Sequence, residues 1–271
     1  MSFLAILSVA LLIALVTQYY GNIRFKFTGD YNDLYRVSKK HRSNQAATDA
    51  VLNEKYRYYI NLSPKGKNKF LARLTYVMNR VQFTGYEGLE ITQEMKICVL
   101  FAVIQLTYGL KLFHFKRFNR FILYPESFYS RFFNRNLLGL TSGLGFVTLS
   151  WADFQEGYLV PNDKYNLGLH EMAHALRLEL MEYGEANVEL QHLSNEIDKL
   201  ALHEQDMALR GLPSILREYA TVNKEEFFSV SVEYFFEVPD TLKQNKPELF
   251  AMLCRMLNQN PLNASNDYRN I

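Results

Sequence analysis

The chain has 271 residues, 48% hydrophobic and 14% aromatic, which is enough apolar material for one large core or two small ones. A formal net charge of +2 gives no reason to look for nucleic acid as the main partner. The two cysteines, Cys98 and Cys254, lie in apolar patterns without a C-x-x-C spacing, so they read as reduced core residues and ask for no oxidising compartment.

Phe3 to Val16 is an uncharged apolar run, extended by Thr17, Gln18, Tyr19 and Tyr20. It is short for a spanning helix and has the length of a signal peptide's apolar region. No basic residue precedes it and no A-x-A site follows it, whereas the tyrosines suit a membrane interface and Arg24 and Lys26 come soon after. The expectation is a single hydrophobic anchor helix over residues 1–21, with the rest of the chain facing the cytoplasm by the positive-inside rule. A cleaved signal or a buried helix are the alternatives. Residues 22–55 read as a polar juxtamembrane linker, and 56–271 as the functional domain, helical over 56–115 and carrying the site in 116–271.

Within that domain, Ser63-Pro64 is a helix start, with Ser as cap and Pro at the first helical position, followed by Phe70, Leu71, Leu74, Val77 and Met78 at helical spacing. Gly85 and Gly88 break the pattern. Thr92 caps the next predicted helix, whose Ile97–Ile104 stretch is apolar all round and too short to span a bilayer, hence a buried core helix. Phe121–Tyr124 and Phe146–Trp151 read as strands. The second has two readings: an exposed edge that pairs with an extended peptide, or an ordinary half-buried strand.

The decisive stretch is Leu169-His170-Glu171-Met172-Ala173-His174, an H-E-x-x-H motif in an apolar helical pattern. Residues four apart on a helix lie one above the other, so His170 and His174 present two imidazoles about 6 Å apart on one face. Two neutral imidazoles bind Zn²⁺ and leave room for a third protein ligand and a water. The metal acidifies that water, and the adjacent Glu171 is placed to take its proton and pass it to a leaving amine. Only six histidines occur in the chain, which makes a chance match improbable.

Tyr183–Leu216 is charged and helical in tendency, and its His192 and His203 read as surface residues. The next helix opens after Asn223. Glu226, Ser229 and Glu233 share one stripe of it in otherwise apolar surroundings, and a carboxylate directed into a core needs a partner. As third ligand, chemistry alone ranks Glu226 first, then Glu233, with His192 and His203 well behind. The competing explanation for Glu226 is a capping box with Asn223.

The H-E-x-x-H motif is followed by R-E-Y-A-T-x-N-x-x-E-F-F from Arg217, then S-V-E-Y-F-F-E and P-E-L-F-A-M-L-C-R-M-L-N-Q. With Gly85–Thr92 and Leu149-Ser150-Trp151 upstream, this pattern resembles the MtfA (Mlc titration factor A) family of zinc peptidases over roughly Tyr56 to Pro261. The resemblance implies a gluzincin-type, zincin-like α+β fold, predominantly helical with a small sheet. It implies zinc ligation by His170, His174 and Glu226, Glu171 as general base, and Tyr219 near the metal as oxyanion donor. A peptide or protein substrate is implied, and a transcriptional regulator as a partner. Two departures stand out. The family often has an acidic residue three positions after the second His, where this chain has Arg177, so Glu179 or Glu233 would have to orient an imidazole instead. The apolar amino-terminal segment is also foreign to soluble members. The rival to zinc-dependent peptide hydrolysis is a membrane-tethered binding protein with structural or vestigial zinc, acting by sequestering a protein partner.

Overall fold

The computed structural model describes residues 42–160, 162–183 and 188–270. The expected anchor, residues 1–21, lies outside them; among the described residues no helix is long and apolar enough to cross a membrane. A compact unit spans Ala46–Ile271. The architecture is α+β and mostly helical, with a small sheet.

Helix α1 (Arg42–Lys55) occupies the end of the segment read as a linker. Its sequence RSNQAATDAVLNEK carries too few apolar residues to show a stripe, yet Leu52 is fully buried and Asp49 accepts a hydrogen bond from the Tyr59 hydroxyl at 2.5 Å. The short α2 (Arg57–Ile60) follows, then α3 (Pro64–Met78), capped as expected by Ser63, whose hydroxyl accepts from the Gly66 N–H. Helix α4 (Gln93–Thr107) is the central core helix. Thr92 caps it, and residues from Ile97 to Thr107 are buried on every face. Its last carbonyls end inside the protein, where helix ends need partners. The buried Arg73 supplies them, donating to the carbonyls of Thr107, Tyr108 and Leu110.

A four-stranded sheet has the order β1-β2-β6-β5, with β1 (Gln82–Gly85), β2 (Arg120–Tyr124), β6 (Phe146–Ser150) and β5 (Gly139–Ser142). The pairs β1–β2 and β2–β6 are parallel, and β5 runs antiparallel to β6 with Gly139 opposite Leu149. A two-stranded hairpin, β3 (Phe128–Ser130) with β4 (Arg135–Leu137), precedes β5. This topology excludes the edge reading of the second strand. Strand β6 is interior to the sheet, with four consecutive buried residues from Val147 to Ser150, and the edges belong to β1 and β5. Trp151 is not in the strand either: Ser150 accepts from the Asp153 N–H as the cap of α5 (Trp151–Leu159).

Beyond the sheet come α6 (Leu167–Tyr183), α7 (Val188–Leu209), a 3₁₀ turn (Glu218–Thr221), α8 (Lys224–Glu237), α9 (Pro239–Asn245) and α10 (Pro247–Leu257). Helix α6 packs against α4, β5 and α8, so the helix carrying His170 and His174 sits between the core helix, the sheet edge and the helix bearing Glu226. The C-terminal segment is tied back to α4 through Gln259, whose amide donates to the carbonyls of Gln105 and Leu106.

Candidate metal centre

Asn166 starts α6: its side-chain oxygen accepts from the Leu169 N–H, and its carbonyl takes the His170 N–H. Leu167, Leu169, Met172, Ala173, Ala175 and Leu176 bury the helix, which fixes the azimuth of the remaining face. On that face His170 and His174 bring their Nε2 atoms to 3.1 Å. Glu226, in the first turn of α8, places Oε2 3.0 Å from His170 Nε2 and 3.4 Å from His174 Nε2. These are the residues among those described that group as a metal-holding set, and their side chains are only 12–16% exposed. His192 and His203, both on the exposed surface of α7, stand apart from it.

The capping-box explanation for Glu226 accounts for half of what is seen. Asn223 does accept from the Glu226 N–H, at 2.8 Å, but the Glu226 carboxylate points to the imidazoles.

Whether a metal fits can be asked of the donor set itself. His170 Nδ1 lies 2.8 Å from Glu233 Oε1, a fully buried carboxylate. With its proton on Nδ1, a neutral His170 turns the Nε2 lone pair toward the triangle. Glu226 Oε2 is enclosed there, facing the two imidazole nitrogens. Three lone-pair atoms converging at such distances repel one another unless a cation lies among them. Ligand atoms 2.0–2.2 Å from one tetrahedral zinc are roughly 3.3–3.6 Å apart, so the observed triangle is a few tenths of an ångström tight and otherwise of the right size. The donor set fits.

Without a metal the same cage holds a proton. Burial works to lower the His170 pKa, but the hydrogen bonds to Glu226 and Glu233 overcome it and raise the pKa to about 10. Burial likewise opposes ionisation of Glu226, yet the two imidazoles keep its carboxyl well below the usual carboxylate range.

Glu233 also settles which acid serves the imidazole in place of Arg177. It receives His170 Nδ1 and the Arg217 guanidinium on Oε1, and the Asn166 N–H on Oε2 at 2.6 Å. Glu179 accepts from the Arg117 N–H. Arg177 is buried, ion-paired with Asp198, and its guanidinium lies over the Phe228 ring.

Glu171 faces the edge strand. Its Oε2 accepts from the Thr141 hydroxyl at 2.7 Å, and the residue is 5% exposed. A Cβ at Gly139 would come within 2.3 Å of Glu171 Oε1, so only glycine lets this carboxylate lie against β5. Tyr219, in the 3₁₀ turn, puts its ring centroid 6.0 Å from that of His170. Burial and then the Glu226 carboxylate raise its pKa to about 12, so the phenol keeps its proton at neutral pH. Gly139, Thr141, Asn166 and Arg217 are site residues that the sequence does not single out. For Arg217 the one available signal is its place at the head of the R-E-Y-A-T block, whereas Gly139 and Thr141 become visible only once β5 is known to lie beside α6.

A helix-borne histidine pair and a carboxylate delivered by a second helix thus converge beside a glutamate that lies against the edge strand β5. The chain belongs to the family described as glucose-regulated metallo-peptidase M90, whose model matches residues 33–257. It is similar to Mlc titration factor A of Yersinia pestis (strain Pestoides F), 25% identical over 225 residues that cover 74% of this chain and 80% of the relative. Mlc titration factor A of Yersinia pseudotuberculosis serotype O:3 (strain YPIII) matches to the same extent. An uncharacterized protein of Synechocystis sp. is 23% identical over 248 residues, 79% of this chain and 84% of its own length.

Proposed function

We propose that this chain is a zinc-dependent peptidase in which His170, His174 and Glu226 hold the metal and Glu171 is the general base. The observation that carries the proposal is the convergence of three lone-pair atoms, 3.0–3.4 Å apart, from two different helices. Bound there, zinc supplies Lewis acidity that acidifies water and polarises a carbonyl. Glu171 takes the proton of the attacking water and returns it to the leaving amine. Thr141 and the absent side chain of Gly139 hold the base in place. Tyr219 donates to the oxyanion as the carbonyl becomes tetrahedral. An extended peptide adding to the edge of β5 would bring its backbone past Glu171, with main-chain hydrogen bonds giving register.

Gly139→Ala probes that arrangement. The added methyl displaces the Glu171 carboxylate, and turnover is expected to fall about 10²-fold with zinc content unchanged. Wild-type kinetics for the variant would contradict the assigned position of the base.

Metal binding must evict the proton that the cage otherwise holds on His170. At pH 7 zinc uptake is therefore expected to release about one proton per chain, read by calorimetry in buffers of different ionisation enthalpy. The folded pKa of His170 exceeds its ordinary 6.5, so its contribution to the stability of the metal-free protein is complete below about pH 6.5 and is lost as the pH rises through about 10. The metal-free protein should melt earlier at pH 10 than at pH 7, and a flat profile with no proton release would speak against the cage.

For location we propose the anchor helix of residues 1–21, with the peptidase domain facing the cytoplasm; the apolar run and the following Arg24 and Lys26 support it. Full-mass protein found wholly in the soluble fraction would exclude it.

A second reading is favoured by the relatives' name, Mlc titration factor A, which is that of a protein titrating a partner. In this chain the same fold would then sequester a transcriptional regulator, with its metal structural. Zinc analysis beside cleavage of a peptide library separates the two. The peptidase reading expects cleavage lost with a chelator, restored by zinc and competitively blocked by a hydroxamate. Full zinc with no cleavage of any library member would favour sequestration.

A further inference from the structure

The 3₁₀ turn that carries Tyr219 lies largely at the surface: Glu218, Tyr219 and the following Val222 are exposed, and Ala220 is its one buried residue. The residue before it, Arg217, anchors it at three points. Its carbonyl accepts from the Ala220 N–H at 2.9 Å. Its guanidinium donates to Glu233 Oε1 at 2.5 Å and lies 4.8 Å from the centre of the Tyr165 ring.

These contacts reach both helices that carry the candidate metal ligands. Glu233 is fully buried on α8 with Glu226, and Tyr165 directly precedes Asn166, the cap of α6. The oxygen that Arg217 binds is also the one that faces His170 Nδ1, at 2.8 Å. A carboxylate at that depth is costly unless a cation or several donors balance it. Arg217 is the cation, and the Asn166 N–H holds the other oxygen. So held, Glu233 keeps the ring of His170 in one orientation, as an outer hydrogen-bond partner does for a metal-binding imidazole. Along the backbone, Arg217 lies just two positions before Tyr219, whose ring centre is 6.0 Å from that of His170.

We propose that Arg217 is a positioning residue acting on both sides of the centre. Through Glu233 it fixes the imidazole of His170, and through the turn it fixes the phenol of Tyr219, so one ion pair sets ligand and oxyanion donor relative to each other. The second branch rests on the peptidase reading. The first concerns metal affinity, which is measured without substrate and stands or falls by itself. An arginine that only stabilised the fold would lower the melting temperature and leave zinc affinity and the dependence on Tyr219 unmoved.

Arg217→Met removes the charge and keeps an apolar stem over Tyr165, whereas Arg217→Lys keeps the charge without the planar fork. In the full-length chain, zinc affinity from competition with a chromophoric chelator should fall about tenfold in Arg217→Met and largely return in Arg217→Lys. At saturating zinc, kcat for any peptide that the native chain cleaves should fall about 10²-fold in Arg217→Met, with KM changed by less than about threefold. In a double-mutant cycle, the same substitution added to Tyr219→Phe should cost about tenfold or less, because the hydroxyl it displaces is already gone. Arg217→Gln, uncharged yet still a donor to Glu233, replaces Arg217→Met in both arms if circular dichroism shows the latter poorly folded, with the same directions expected. Native zinc affinity in the uncharged variant would overturn the hold on His170. Losses that multiply in the cycle, or that fall on KM alone, would overturn the hold on Tyr219. A native chain that cleaves no peptide would remove the peptidase reading and the Tyr219 branch with it, and the zinc result would still decide the His170 branch.

Discussion

Glu171→Gln is expected to lower peptide hydrolysis by about 10²–10⁴-fold while the zinc content and the melting temperature stay near those of the native chain. The amide has the shape of the carboxylate and still accepts from Thr141, so the contact with β5 survives. It cannot accept the proton of the attacking water, and no other carboxylate of the site is free to do so. Glu226 is committed to the imidazoles, and Glu233 to His170, Arg217 and Asn166. Initial rates on any peptide that the native chain cleaves, alongside metal analysis of the same sample, make the measurement. Native turnover in this variant would remove Glu171 from the mechanism.

Glu226→Ala is expected to act on the metal. Removing one of three protein ligands should weaken zinc binding by more than the roughly 10–100-fold that loss of an outer hydrogen-bond partner costs. The helix should survive, because the cap of α8 uses the side chain of Asn223 and the backbone N–H of residue 226, which alanine retains. Competition with a chelator gives the affinity and far-ultraviolet circular dichroism gives the helix content. Undiminished affinity would mean that another acid completes the site. In the metal-free protein the same change also strips His170 of one of its two carboxylate partners and should bring its pKa down from about 10.

The sequence speaks most clearly where one helix carries the whole signal. His170 and His174 are legible because their spacing matches the helical repeat. The burial of α4 is legible because Ile97 to Ile104 has no polar face, and the starts of α3 and α4 follow from the capping chemistry of Ser63 and Thr92. Glu226 is readable as an acid on an apolar stripe, but only the fold turns it from its cap toward the imidazoles. Strand order is not legible. Strands of three to five residues carry too little alternation to tell an edge from an interior, so β6 can pass for an edge strand while β1, β3, β4 and β5 leave no clear trace. Trp151 looks like the end of a strand because its aromatic ring continues the pattern, whereas Ser150 and Asp153 begin a helix there. The role of Gly139 is invisible in principle to a one-dimensional reading, since a missing side chain acquires meaning only from the carboxylate that lies against it. The presence of Arg177 where an acid is expected raises the question of what orients the imidazole, and Glu233, sixty-three residues from His170, answers it from another helix.

The central claim is that two imidazoles and one carboxylate share a single divalent ion. X-ray absorption at the zinc edge on the loaded full-length chain addresses it most directly. The account predicts a low-Z first shell of nitrogen and oxygen at about 2.0–2.1 Å with the outer-shell pattern of two imidazoles, one of which disappears in His174→Ala. A sulfur contribution, a single imidazole, or a spectrum unaltered by His174→Ala would contradict it.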